Sequence, residues 1–281
     1  MRWLLVLAVV SGSLQAQIAL TAREIMQRSI DRDAGRWSDL KDYTFHEFVV
    51  EKRLDKRRET DRVESQLNEV LILAGRPYSR VIEKDGKPLS EKEARKEQEK
   101  LDKEAAKRAK ETDRDRAKME KERQDDRRAA REIPDAFDFT LLGEELIDGL
   151  PVWKIQAEPK PGYEPRNGRA DVLTKVRGTL WIEQADFQWV RGEIEVIDTI
   201  SWGWFVLRIP AGAKIEFAQM RLNHEVWVPQ QAHIRADAKL ALLKTFRLEV
   251  DIAYREYRKF RAESQIIGVD EDLLEAAPKP N

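Results

Sequence analysis

The chain has no cysteine, which excludes a disulfide scaffold, thiolate metal sites and a cysteine nucleophile. Histidine is scarce: His46, His224 and His233 are the only three, and none has metal-ligand spacing to another histidine or an HExxH-type partner. Serine is also sparse, with no Gly-x-Ser-x-Gly elbow, so a Ser-His-Asp triad has no support. There is no Gly-rich loop of the Walker or dinucleotide type. Charge of one sign is missing as well. Lys and Arg number 51 against 52 Asp and Glu, a net charge of -1, so no global basic field points to nucleic acid. Beyond the first residues no segment has the length and apolarity of a transmembrane helix.

What is present is a chain of 281 residues, enough for one large domain or two small ones, with 37% charged residues. Residues 1–16 read as an export signal. Arg2 gives the positive start, Trp3 to Val10 the apolar stretch, and Ser11 to Ala16 the small and polar exit. No cysteine follows, so this is not a lipid-modified lipoprotein, and the mature protein is expected in the periplasm. Thr21-x-x-Glu24 is a capping box, and Ile25, Met26, Ile30 and Ala34 follow at helical spacing, predicting a helix from Ala22 to about Ala34. Strands are expected at Asp42–Leu54, Thr60–Leu73 and Tyr78–Glu83. They are separated by a charged turn and by Ala74-Gly75-Arg76-Pro77, and closed by Asp85-Gly86.

From Ser90 to Arg131 the character changes. Most residues carry a charge, the signs are mixed, and Gly and Pro are absent. Opposite charges four apart (Glu99 and Lys103, Glu104 and Arg108, Arg116 and Glu120) support a helix weakly, and Ser90 with Glu93 repeats the capping-box pattern. Apolar residues are too few for a coiled-coil seam. The expectation is a long solvated helix inserted between two strands.

Phe137 to Phe260 then reads as a β-meander of about eight strands. Its clearest member puts Phe246, Leu248, Val250, Ile252 and Tyr254 on one face, and Arg247, Glu249, Asp251 and Arg255 mostly on the other. Glu193 and Glu195 share a strand face beside Arg191, which reads as an exposed charge ladder rather than a glycosidase dyad. His224 falls in a hairpin turn and His233 on the outward face beside Arg235. Six of the eight tryptophans lie in this half, where large aromatics fill a core, cover a sheet face or line a pocket. Trp202 to Leu207 is apolar on both faces. The tail, residues 264–281, is acidic, ends in Pro278-Lys279-Pro280, and is expected to be mobile.

Several stretches resemble a known family. Val152-Trp153-Lys154-Ile155, Lys175 to Asp186, Gly212 to Gln219, Asn223 to Pro229 and Tyr257-Arg258-Lys259-Phe260 resemble exported bacterial proteins related to the lipoprotein carriers LolA and LolB. Asp42-Tyr43-Thr44-Phe45 after a short helix fits the same relatives. The resemblance implies an α+β, mainly antiparallel protein: an incomplete, strongly curved β-barrel closed by helices, spanning residues 17–263 as one domain interrupted by the charged insertion at 90–131. It also implies a concave apolar face that shelters acyl chains.

The first expectation for function is therefore a non-catalytic periplasmic carrier for a lipid, a lipoprotein acyl group or another amphiphile. Under the strand register above, the lining residues are Trp153, Ile155, Val190, Ile194, Phe217, Leu248, Val250 and Ile252, each of which a one-residue slip would turn outward. The alternatives are an envelope interaction module acting through the charged segment, and a hydrolase whose motifs escape notice. No cofactor, metal or nucleic acid is expected. The expected partners are a lipid or lipidated protein, an envelope protein, and a peripheral membrane surface.

Overall fold

The computed structural model describes residues 20–33, 40–202, 207–223, 225–240 and 244–259. Residues 1–16, expected as an export signal, lie outside them, as do His224, Gly203 to Val206 and residues 264–281.

Helix α1 (Ala22–Asp33) begins as its capping box requires. Thr21 N and Oγ1 both donate to Glu24 Oε2 at 2.8 Å, and Glu24 N donates back to Thr21 Oγ1. Its buried positions are Ala22, Ile25, Met26, Ser29 and Ile30, the spacing of one helical stripe. Ile25 and Met26 are wholly buried, each contributing about 1.5–3 kcal/mol by the apolar area it hides.

The strands follow as β1 (Tyr43–Leu54), β2 (Thr60–Leu73), β3 (Arg76–Lys84) and the two-residue β4 (Lys87–Pro88). The charged segment forms two helices, α2 (Glu91–Ala109) and α3 (Asp113–Arg131), where the sequence suggested one. A second capping box breaks it. Thr112 accepts from Asp115 N while the Asp115 carboxylate takes Thr112 N at 3.0 Å, so the chain restarts a helix there with no Gly or Pro. A short α4 (Ile133–Ala136) leads into β5 (Phe137–Ile147), followed by β6 (Leu150–Pro159), β7 (Val176–Glu183), β8 (Trp189–Val196), β9 (Ile200–Trp202), β10 (Leu207–Ile209), β11 (Lys214–Leu222), β12 (Val226–Leu240) and β13 (Lys244–Lys259).

All of these strands join one antiparallel sheet in the order β4-β3-β2-β1-β13-β12-β11-β8-β7-β6-β5, with the β9-β10 hairpin branching from β12. Most neighbours are hairpin partners, as short turns dictate. The chain-end pairing of β1 with β13 is long-range and joins the two halves. The edges β4 and β5 do not pair with each other, so the sheet is open. The segment that connects these two edges is α2-α3-α4, so the charged helices run from one margin of the sheet to the other.

Neither α2 nor α3 buries a residue, and their attachment is mostly polar, with Ala129 of α3 packed on the cluster around Phe137. Lys84 pairs with Glu93 at 3.2 Å, and Arg80 donates to Gln98. Arg108 donates to the carbonyls of Leu73, Arg76 and Pro77 at 2.9–3.3 Å. Where α3 meets α4, the buried Glu132 gathers the Tyr163 hydroxyl, Arg166 N and Asn167 Nδ2. Burial pushes the Glu132 carboxyl up, but those donors and the Arg166 charge outweigh it and hold it below the usual range. The same contact, with burial, pushes the Tyr163 phenol up to about 12.

Candidate functional site

Direct cross-strand partners share a face, so the pairing register sorts the sheet's side chains. One row runs Leu141, Ile155, Leu180, Gly192, Phe217, Ala232, Ile252, Val49. The next runs Phe139, Ala157, Gly178, Ile194, Ile215, Ile234, Val250 and ends at Glu51 and Glu64. A third pairs Ala236 with Leu248 and ends at Arg53 and Arg62. Apolar side chains thus tile one face from β5 to β13. At the β1-β2 margin the tiling turns into a charged border, in which Arg53 meets Glu51 at 3.0 Å.

Seven of the eight residues singled out in the sequence fall on this face: Trp153, Ile155, Ile194, Phe217, Leu248, Val250 and Ile252. Val190 does not. The β7-β8 pairing slips between Trp181 and Ile182, so Val190 turns to the other side and packs with Val152, Trp181 and Trp227. The seven also divide by cover. Helix α1 lies over Ile155, Leu180 and Ile182, with Trp153 and Trp189 packed around them, so Ile155 is wholly buried. Ile194, Phe217, Leu248, Val250 and Ile252, together with Ile215 and Ile234, remain half-buried. The apolar face is plugged by α1 at one end and left part-exposed at the other.

Trp189 stands at that boundary. It stacks on Phe217, ring centroids 6.2 Å apart, and packs against the cluster under α1. Two other sheet tryptophans give their indole N–H to carboxylates, Trp181 to Glu145 at 2.9 Å and Trp227 to Asp186 at 2.7 Å. The Trp189 Nε1 is buried and has no partner. Such a donor is costly to leave unpaired.

The opposite face carries the buried cluster of Val152, Trp181, Val190 and Trp227 and is mostly polar beside it. Arg177, Glu195, Lys214, Arg235, Glu249 and Lys52 form one row of mixed sign, in which the cations Lys214 and Arg235 stand side by side, each with a carboxylate (Glu195 or Glu249) on its other side. Arg177 reaches Glu195 at 2.8 Å and Arg191 reaches Glu193 at 2.6 Å, so Glu193 and Glu195 each answer an arginine in an exposed ladder. His233 Nδ1 lies 2.6 Å from Asp251 Oδ1, and the Lys52 ammonium approaches the same carboxylate at 3.2 Å. Burial pushes the Asp251 carboxyl up, but His233 and Lys52 together hold it below its ordinary value. A cleft of about 520 Å³ opens on this face. Phe48, Val50, Val190 and Ile147 wall it, and Ala218, Gln231 and Ala253 form the floor beside His233. Val190, Phe217 and Ile252, singled out in the sequence, are among the residues that line it; the small pair Ala218 and Ala253, which the register brings into one row through Gln231, was not. Among the described residues no three His, Asp or Glu side chains group as a metal site, and no helix is long and apolar enough to cross a membrane.

No family model and no curated protein matches this chain. It is similar to solved structures. A DUF1329 family protein from Desulfovibrio piger is 13% identical with a TM-score of 0.32, over 87% of this chain and 95% of that one. A putative outer membrane lipoprotein-sorting protein domain from Vibrio parahaemolyticus is 10% identical with a TM-score of 0.32, over 87% and 94%. A LolA superfamily protein from Nitrosomonas europaea is 12% identical with a TM-score of 0.30, over 86% and 94%. Two of the three bear the name of the family that the sequence resembles. At TM-scores of this size the likeness carries no argument about function, which rests on the geometry of the sheet.

Proposed function

We propose that this chain is an exported, non-catalytic binding protein for an amphiphile: a lipid, the acyl group of a lipoprotein, or a related envelope molecule. The carrying observation is the apolar face beyond α1, where Ile194, Ile215, Phe217, Ile234, Leu248, Val250 and Ile252 stay half-buried side by side. A single sheet face tiled in this way gives hydrocarbon a place to leave water without polar specificity. Each methylene removed from water contributes about 0.8 kcal/mol, so ten of them give about 8 kcal/mol before the cost of association. The charged border at Glu51, Arg53, Glu64 and Arg62 suits the wet end of such a molecule. Residues 1–16 read as an export signal, which supports a periplasmic setting.

Native mass spectrometry after mild purification tests the reading. We expect co-purified lipid, and uptake of a fluorescent fatty acid that Val250→Asp abolishes. A ligand-free protein that takes up no probe overturns it.

A further inference from the structure

The unpaired indole of Trp189 narrows the ligand. We infer, resting on the binding role above, that the occupant of the apolar face is an acylated molecule whose neutral carbonyl accepts a hydrogen bond from Trp189 Nε1, with its hydrocarbon laid from Phe217 toward Val250 and Ile252.

The sheet tryptophans differ in how their indole donors are satisfied. Trp181 and Trp227 face the polar side and each finds a carboxylate. Trp189 faces the apolar side, paired with Ile182 and stacked on Phe217. Its N–H is closed off from solvent, and no acceptor meets it. An indole N–H is a donor only, so what completes it must be an acceptor. The cluster that Trp189 packs against includes Ile25, Met26, Leu180 and Ile182, and its stacking partner Phe217 is apolar too. A carboxylate brought among them would lose its hydration at high cost, whereas an ester or amide carbonyl loses far less. A bare alkyl chain would leave the donor unsatisfied. The α1 stripe carries a matching feature: Ser29, its one buried polar residue, also has a hydroxyl without a partner.

Position then sets the tail. Trp189 and Phe217 both pack against the cluster under α1, and Phe217 lies in the row that continues onto the part-exposed floor. From β8 the open apolar floor crosses β11, β12 and β13 to β1, four strand spacings or about 19 Å on a flat sheet. That floor accommodates a long acyl chain once the carbonyl is fixed at its start.

The test compares two lipids that differ only in the carbonyl, 1-palmitoylglycerol and its ether counterpart 1-O-hexadecylglycerol, added to the full chain labelled with ¹⁵N-tryptophan. We expect the ester to bind about tenfold more tightly, the worth of one satisfied buried donor. The assigned Trp189 indole N–H signal should move with the ester and stay with the ether. Trp189→Phe, which keeps the ring and loses the donor, should bind both lipids alike. The indole signal is read on the unaltered protein, so the result stands even where the variant fails to fold. Equal binding of the two lipids with a stationary indole signal, or one that moves alike for both, overturns the carbonyl assignment and leaves the carrier role standing. Binding of neither lipid overturns both.

Discussion

Replacing Gly192 with alanine tests how tightly the apolar face is tiled. Gly192 sits in the central row between Leu180 and Phe217. A Cβ there would meet Phe217 Cε1 at 2.4 Å, Phe217 Cζ at 2.5 Å and Leu180 Cδ2 at 3.1 Å. Carbon atoms in contact rest about 3.5–4.0 Å apart, so the Phe217 ring must move by about 1 Å or more. Two effects oppose each other. Gly192 does not occupy the left-handed region, so alanine restricts the unfolded chain and gains about 0.4–1 kcal/mol. Overpacking costs about 1–3 kcal/mol, and displacing Phe217 from Trp189 forfeits about 0.5–1.5 kcal/mol more. Overpacking wins. Phe217 is half-buried and borders the uncovered floor, so the ring has somewhere to swing, which keeps the net loss near 1–2 kcal/mol. The displaced ring then occupies ligand space, so lipid uptake falls with stability. Urea unfolding measures the first and probe binding the second. Phe217→Leu in the Gly192→Ala background should recover much of the loss, giving a positive coupling in the double-mutant cycle. Gly178→Ala supplies the control, because its Cβ would strike the Glu193 carbonyl oxygen at 2.5 Å, part of the neighbouring backbone. No side chain can yield there, so its loss should exceed that of Gly192→Ala. A Gly192→Ala protein as stable as the parent, or zero coupling with Phe217, refutes the reasoning.

Glu132→Gln takes one acceptor from the Tyr163, Arg166 and Asn167 donors and should cost about 1–3 kcal/mol at neutral pH. The folded Glu132 carboxyl titrates below its unfolded value. The stability it lends is therefore present above the ordinary glutamate range and is lost as pH falls through the depressed value. Melting curves of the variant should show a shallower decline into acid; an unchanged decline counts against the assignment. Arg108→Ala removes the guanidinium that spans three backbone carbonyls, so hydrogen exchange in α2 should quicken while β6 to β8 stay protected. Equal protection of α2 in both proteins would show that Arg108 does not fasten the helix.

Much of the sheet was legible because alternation is a local property. Leu248, Val250 and Ile252 repeat every second residue, and the register places all three on the apolar face with Ile194, Phe217, Ile155 and Trp153. Val190 was misplaced because a bulge is written in no single strand; it arises when β7 and β8 are fitted together. The charged segment was legible as helical from its paired charges, yet its break needed Thr112 and Asp115 read as a cap, a signal easily lost in a polar run.

The amino-acid order alone determined which side chains face together wherever a strand runs without a bulge, where α1 starts, and which chemistries have no residues to perform them. These follow from backbone periodicity, side-chain capping and composition, which act within a few residues. Only the tertiary structure decided that β1 closes on β13, that α1 covers Ile155 but not Val250, and that the Trp189 N–H meets no acceptor while Trp181 and Trp227 find theirs. Each of these depends on partners far apart in the chain, and local periodicity holds no record of which distant surfaces will meet.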